Sequence, residues 1–403
     1  MTDSAAHAIA HARGTLTPAQ RRRSLIAIIT SAGVVGLSLG LAFPMLALML
    51  ERDGIDPTWI GVNAAATSVA ILLTGPFVPR ILNILGPLRA MYLSVAAHVV
   101  LILLLPVFDG WWPWLFMRFV LGIFDGIHWI VGETWLIALS SKANRGRVIA
   151  LYMMALVAGF AGGPLLINLV GIAGWAPFLA CAGLIALSGI PLLLAIGLSP
   201  RFPPHPPAAF SDTFRKAPLL LAAAGLAGLT GTALFSLLAV YGIKIGMPQD
   251  HAVVMLTAMM LGNLALQLPI GWLADRVDRR GFMVFCGMIF LVCPLALPAV
   301  VDGGLLLWPV LVIWGGAAIG IYTLALTILG DRFPPAALAG ANAAVVAVYE
   351  TGSVAGPIIG GAGMDAAGPQ GLMWVLAGAA GLFLLFALYR EIKRRSPADA
   401  SVE

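Results

Sequence analysis

The chain of 403 residues is 60% hydrophobic and only 10% charged, and its pI is near 9.4. A soluble domain carries about 25% charged residues, so this composition excludes an ordinary soluble protein and indicates a membrane protein. Because the basic residues lie mainly between apolar stretches, the net charge of +5 is interpreted as membrane topology and predicts no nucleic-acid partner.

Apolar stretches of about 18 residues or more, the length that spans the hydrocarbon core, occur twelve times along the chain. The predicted spans are 24–50, 58–79, 90–108, 113–138, 148–171, 175–198, 218–243, 251–274, 282–301, 305–329, 339–362 and 370–389. They predict an all-α membrane protein with twelve transmembrane helices. Residues 1–23 are predicted to be a cytoplasmic tail and not a cleaved signal, because the apolar run that follows is too long.

The longest internal loop divides the spans into two groups of six. We expect six-helix bundles at 24–198 and 218–390, a cytoplasmic linker at 199–217 and a cytoplasmic tail at 391–403. Four prolines lie between positions 203 and 207 of the linker. Clustered prolines form semi-rigid, extended spacers, so this loop is predicted to join the bundles and not to bind a ligand.

Glycine motifs recur about half a chain apart, which indicates that a six-helix unit was duplicated. GFAGGP at 159–164 is followed by GSVAGPIIGG at 352–361, with the GP prolines 193 residues apart. Small residues let helix backbones approach closely. The predicted helix-packing positions are Gly163, Pro164, Gly356 and Pro357. Membrane transporters built from repeats bind their cargo between the two halves, near the bilayer midplane.

The distribution of lysine and arginine predicts the orientation. With twelve spans, twenty of these residues share the side of both termini, whereas only Arg52 and Lys244 lie on the other side and Arg118 lies within a span. Such residues collect in cytoplasmic loops. We therefore expect a multi-pass membrane protein with both termini cytoplasmic.

Four formal charges fall well inside spans: Arg118, Asp125, Glu133 and Glu350. Each costs at least about 2.5–3.5 kcal/mol at membrane depth, so these groups should face water or one another. Asp125 is predicted to contact substrate or a coupling proton with Arg118 as counter-ion; the alternative is an ion pair that only fixes packing. Since the seven residues from Arg118 to Asp125 rise roughly 10 Å along the helix, water or another helix would bridge the two side chains. His128 is either a proton shuttle or a neutral core residue.

Glu350 on the eleventh span is the second predicted proton site; the alternative is a carboxyl group that stays protonated and only hydrogen-bonds at the packing surface. Glycines follow it at 352, 356, 360 and 361, and that helix face is predicted to pack against the other half. Trp314 and Tyr322 on the tenth span are predicted to line a cavity, with packing as the alternative. Few charges and several aromatic rings suit an amphipathic or weakly charged organic solute.

The sequence GWLADRVDRR resembles the loop between helices 8 and 9 of the major facilitator superfamily, and RFVLGIFDG from Arg118 resembles that family's fourth helix. The first-half copy of the loop has Pro79 in place of the aspartate. In this sequence the motif residues of the second copy are Gly271, Asp275, Arg276, Arg279 and Arg280. The similarity covers residues 24–390. WIVGETWL at 129–136 and NRGRVIALYMM at 144–154 further resemble the bacterial YcaD-like branch, which implies a protein of the bacterial inner membrane.

The resemblance implies a major facilitator fold whose fourth helix lines the central cavity. It implies that the 271–280 loop is a conformational switch, in which charge pairs form in one state and break in another; plain positive-inside anchoring is the alternative. It also suggests that Glu133 pairs with Arg145 or Arg147 in gating, with direct substrate contact as the alternative.

The predicted function is secondary active transport of a small organic solute by alternating access, in a monomer that binds its substrate, protons and lipid. No nucleotide-binding GxxxxGK[ST] loop, nucleophile set or metal-ligand cluster occurs, so no enzymatic activity, cofactor or metal is expected. Proton-coupled export by antiport is the first hypothesis. Proton-linked uptake by symport and a transporter-like membrane sensor are the alternatives.

Overall fold

The computed structural model describes residues 16–108, 110–140, 145–199, 210–274, 276–301, 304–333 and 335–395. All regular structure in these ranges is helical. The helices long and apolar enough to cross a membrane are α1 Pro18–Arg52, α2 Pro57–Leu85, α3 Pro87–Leu104, α4 Trp111–Leu139, α5 Arg145–Val170, α6 Ala176–Leu192, α7 Pro218–Lys244, α8 Gln249–Ala274, α9 Arg279–Val300, α10 Leu307–Arg332, α11 Pro335–Ala367 and α12 Gly371–Arg395. The twelve predicted spans and the all-α fold are confirmed.

Several helix ends differ from the predicted ones because capping and turn residues, not hydropathy, set them. Thr17 and Gln20 form a reciprocal capping box, so α1 begins at Pro18 and takes up residues predicted to lie in the tail. Between α2 and α3 the loop shrinks to Gly86, whose φ of 76° suits glycine. The predicted linker contains a short helix, Phe210–Lys216, whereas its proline cluster at 203–207 lies outside the described residues.

The two halves, α1–α6 and α7–α12, repeat the same close helix contacts. A Cβ on Gly36 of α1 would lie 2.4 Å from the Leu156 carbonyl oxygen of α5. At the equivalent place in the second half, a Cβ on Gly228 of α7 would lie 2.0 Å from the Tyr349 carbonyl oxygen of α11. These approaches exclude any side chain, so the duplication inferred from the glycine motifs is visible in the packing.

The glycine face of α11 serves two different contacts. Gly352 and Gly356 pack against α7 of their own half, while Gly361 packs against Pro57 of α2. The prediction that this whole face meets the other half was therefore wrong for Gly352 and Gly356. The error arose because glycine spacing shows which side of a helix is close-packed but does not show which helix packs there. In the first half, Gly163 packs against Gly40 of α1.

Direct contacts close the gap between the halves on the side remote from the termini. The Lys244 ammonium lies 3.3 Å from the Glu51 carboxylate, and Thr58 donates its backbone N–H and its hydroxyl to the Asp365 carboxylate. Deeper in the membrane, the ring centroids of Phe43 and Phe235 on α1 and α7 are 6.0 Å apart. We call this region the closed end.

Candidate functional site

A group of acidic and aromatic side chains lies where α4 and α5 of the first half face α10 and α11 of the second. We call it the acidic–aromatic site. Its residues are Trp129, Glu133, Tyr152, Tyr322, Tyr349 and Glu350. Both carboxyl groups belong to partly exposed residues, so solvent or a ligand has access to them.

The first half contributes a carboxylate held by neighbouring aromatic side chains. The Trp129 indole N–H donates to Glu133 at 2.7 Å, one helical turn away. The Tyr152 hydroxyl of α5 lies against α4, where a Cβ on Gly132 would be 3.5 Å from it. Because Trp129 and Glu133 are on one face of α4, the ring and the carboxylate are presented together.

The second half contributes a tyrosine pair and a second carboxyl group. The rings of Tyr322 on α10 and Tyr349 on α11 meet edge to face, with centroids 5.3 Å apart. Glu350, next in the chain, lies within hydrogen-bonding reach of the Ser68 hydroxyl of α2. Tyr322 is close enough to Glu133 and Glu350 to interact electrostatically with both. The two halves therefore bring two carboxyl groups to one aromatic-walled region, an arrangement that favours binding of a cation.

Asp125 belongs to a different cluster, inside the first half. Its carboxylate lies 3.0 Å from Nδ1 of His98 on α3, and its side chain is 13% exposed. Arg118, predicted as its counter-ion, is buried with its guanidinium 4.7 Å above the Phe43 ring. The counter-ion role of Arg118, predicted to act through water or another helix, stays a prediction. Arg118 interacts with Asp125 electrostatically, and the described ion pair of Asp125 is with His98. His128 is buried, and its Nε2 has no partner among the described residues.

Trp314 does not line a cavity. It is fully buried in the core of the second half, and its indole N–H has no partner in the described part of the chain. The neighbouring Gly315 explains this burial, because a Cβ on Gly315 would be 1.8 Å from the Met259 carbonyl oxygen of α8. This tight packing of α10 on α8 leaves no open space at Trp314. Tyr322, two turns further along α10, is the one that is partly exposed.

The loop between α8 and α9 is joined to the end of α10. Arg279 forms an ion pair with Asp331 and donates from Nε to the Ala274 carbonyl at 3.1 Å. Arg276, in the turn after α8, stacks 3.7 Å above the ring of Trp272 on α8. Asp278 caps α9 by accepting the Gly281 N–H at 2.7 Å. These contacts tie the start of α9 to α8 and α10.

The structure describes fewer contacts for the other residues predicted for the switch. Asp275 and the side chain of Arg145 lie outside the described residues. Gly271 has open space where a Cβ would be, and Arg280 is partly exposed. Arg147 is exposed and makes no ion pair within the described ranges. The described hydrogen bond of Glu133 is instead with Trp129.

A family model covers nearly the whole chain. The model for the Major Facilitator Superfamily matches residues 28–322 and again 220–403. The chain belongs to the Major Facilitator Superfamily. Its similar relatives include YfkF, an uncharacterized MFS-type transporter of Bacillus subtilis (strain 168), which is 27% identical over 83% of this chain and 87% of the relative. YcaD of Shigella flexneri serotype 5b, another uncharacterized MFS-type transporter, is 24% identical over 91% of this chain and 95% of the relative.

Solved structures of major facilitator transporters share the fold. A variant of the nucleoside transporter NupG superposes with a TM-score of 0.74 at 14% identity, covering 91% of this chain and 99% of NupG. A bacterial homolog of the human lysosomal transporter Spinster, in an inward-facing and unoccupied conformation, gives 0.71 at 13% identity, covering 92% and 96%. At these identities the likeness establishes the fold alone.

The sequence analysis did not single out several residues that the structure places at these sites, among them His98, Asp331, Ser68 and Tyr152. His98 is a titratable residue in the middle of a span, so the argument applied to Asp125 could have found it. Asp331 ends the tenth span beside a basic residue. Ser68 and Tyr152 carry no charge, and no pattern in a single sequence distinguishes them from packing residues.

The ion pair between Arg279 and Asp331 provides the first test of the switch. We expect Asp331→Asn to reduce transport at least about fivefold, the size of a typical coupling free energy, while substrate binding stays within twofold. The exchanged variant Arg279→Asp with Asp331→Arg should recover transport, because it restores the pair in reverse. Flux and binding are measured on the same purified proteins. Equal losses of binding and flux, or no recovery in the exchanged variant, would contradict a switching role.

Proposed function

We propose that this chain is a secondary active transporter that exchanges protons for an organic cation by alternating access between its two halves. The observation that carries the proposal is the acidic–aromatic site, where Glu133 of one half and Glu350 of the other both interact electrostatically with Tyr322. Ionised carboxylates and aromatic faces attract organic cations. A neutral or anionic solute would leave the negative charge of both carboxylates without a compensating positive charge, which is costly away from water.

Transport of the cation is coupled to transport of protons because both compete for the carboxyl group of Glu350. Its carboxyl group stands at the border between the halves, within reach of Ser68. When ionised it attracts the cation, and when protonated it is neutral and can donate a hydrogen bond to the serine hydroxyl. The proton neutralises the carboxylate, whereas binding of the cation requires the carboxylate to be ionised. Binding of either one therefore displaces the other. A carrier with this property moves them in opposite directions.

The predicted orientation makes the exchange an export. The side that carries most of the lysine and arginine residues is taken as cytoplasmic, and the closed end then faces away from the cytoplasm. In this state the acidic–aromatic site would load cation from the cytoplasm. After the halves rock about the site, a proton from outside would replace the cation at Glu350. Entry of the proton down its gradient drives export.

Flux in proteoliposomes tests the proposal, with ethidium and a panel of aromatic quaternary ammonium compounds as probes. Vesicles with an acidic interior should accumulate a transported cation, because protons leave as the cation enters, and vesicles without a gradient should not. Accumulation in vesicles with the opposite gradient would support proton-linked uptake instead. Flux of neutral solutes without flux of any cation would contradict the assigned substrate class.

A further inference from the structure

Two adjoining cavities lie at the closed end, on the surface between α2, α4 and α11. The first has a volume of about 260 Å³ and is lined by Gly54, Ile55, Asp56, Trp59, Trp111 and Trp112. The second, of about 480 Å³, is apolar, and its lining includes Val62, Val69, Trp112, Phe116, Phe119 and Ile358. Trp112 lines both, so the two cavities adjoin at its ring, and we call the pair the groove.

The first cavity has the chemistry of an ammonium site. The rings of Trp59 and Trp111 meet edge to face at 5.0 Å, and those of Trp111 and Trp112 at 4.7 Å. A hydrogen bond of 3.0 Å from the Trp111 indole to the Trp59 carbonyl fixes this arrangement. Asp56 precedes α2, but its side chain makes no helix-capping hydrogen bond. Tryptophan faces and an uncommitted carboxylate are the groups that bind ammonium ions.

The second cavity has the dimensions of a lipid chain in one leaflet. Along α2 the groove extends from Trp59 to Val69, ten residues or roughly 15 Å of helix. That is half of the hydrocarbon core of about 30 Å. Its position near the remote ends of α2 and α4 places the tryptophans at the membrane–water boundary. Ile358 belongs to the second half, so a molecule in the groove contacts both halves.

We propose that this groove binds one phospholipid whose head group carries an ammonium, with the ammonium between Asp56 and the tryptophans and an acyl chain along α2 and α4. The occupant lies in the leaflet remote from the termini. Tryptophans that served only as interfacial anchors would not discriminate between head groups. A specific lipid site would therefore bind a head group with an ammonium more tightly than one with an uncharged alcohol, whereas an interfacial anchor would bind both equally.

Native mass spectrometry of the full-length purified protein tests the head-group site. Phosphatidylethanolamine should bind about tenfold more tightly than phosphatidylglycerol with identical acyl chains, the size expected when a paired ammonium replaces a neutral group. Asp56→Asn should remove that preference. Asp53→Asn is the matched control, since its carboxylate lies outside both cavities and pairs with Arg52, and it should keep the preference. Equal binding of the two lipids, or equal effects of the two variants, would overturn the proposal.

The acyl-chain part is tested by filling the groove. Val69→Phe places a ring in the second cavity, whereas Leu73→Phe places one on the same helix outside it, at an exposed position. We expect Val69→Phe to weaken binding of phosphatidylethanolamine about tenfold and Leu73→Phe to leave it within twofold. Thermal unfolding without added lipid verifies that both variants fold. Unchanged binding in folded Val69→Phe would exclude this groove as the site.

Discussion

Replacing Glu350 by glutamine should abolish accumulation of substrate driven by a pH gradient while still permitting exchange of substrate across the membrane, with weaker binding of the cation. Glutamine has the shape of the protonated acid and retains hydrogen bonding to Ser68, but it cannot release a proton. Exchange of one cation for another needs no proton release, so it continues, although the cation binds more weakly because only Glu133 and the aromatic rings attract it. Accumulation and exchange are measured in the same proteoliposomes, and at least about a hundredfold loss of accumulation is expected, since the coupling group itself is removed.

Asp125→Asn is the informative comparison for this variant. Asp125 is also a partly exposed carboxyl group on a transmembrane helix, but it is paired with His98 inside the first half. We expect Asp125→Asn to retain gradient-driven accumulation, with any loss explained by reduced stability. If Asp125→Asn lost accumulation and kept exchange while Glu350→Gln behaved like the parent, the coupling site would lie on α4 and Glu350 would be a packing residue.

Gly61→Ala should reduce transport about tenfold or more by forcing α2 and α11 apart. A Cβ on Gly61 would lie 2.0 Å from the Pro357 carbonyl oxygen, and a backbone atom cannot move aside as a flexible side chain can. Overpacking of this kind costs about 1–3 kcal/mol. Since the contact lies near the closed end, the cost falls on the conformation described here and shifts the population toward the other one.

Gly183→Ala on α6 is the control, because a Cβ there meets nothing within 4 Å. Flux and thermal unfolding of both variants are compared with the parent. The control should keep its flux within twofold. If Gly61→Ala transported as fast as the parent, the close approach of α2 and α11 would not be required for the transport cycle.

The fold could be predicted because it rests on properties that a single chain displays directly. Apolar length identifies the spans, and glycine spacing identifies the close-packed faces of α5 and α11. Which helix meets each face depends on rotations and neighbours that the sequence does not contain. For this reason Gly352 packs within its own half, contrary to the prediction, and Trp314 is buried although it was predicted to line a cavity.

The candidate site could be predicted only in part, because the sequence does not show which helices pack together. The high cost of a charge in the membrane singles out Asp125, Glu133 and Glu350 from the sequence, but it does not show which of them share a site. The structure separates Asp125, beside His98, from Glu133 and Glu350, which both approach Tyr322. Which carboxyl groups share a site depends on how helices that are distant in the sequence pack together, and the helical geometry of α4 alone does not show this.

The most direct test of the account is the number of protons released when a cation binds. Tetraphenylphosphonium is added to the purified protein in weakly buffered detergent solution containing a pH indicator, and tetraphenylborate, of the same shape and opposite charge, serves as the control. The account predicts proton release on binding of the cation by the parent, none from Glu350→Gln, and none with the anion. Cation binding that leaves the pH unchanged, or that takes up protons, would contradict proton–cation competition at Glu350.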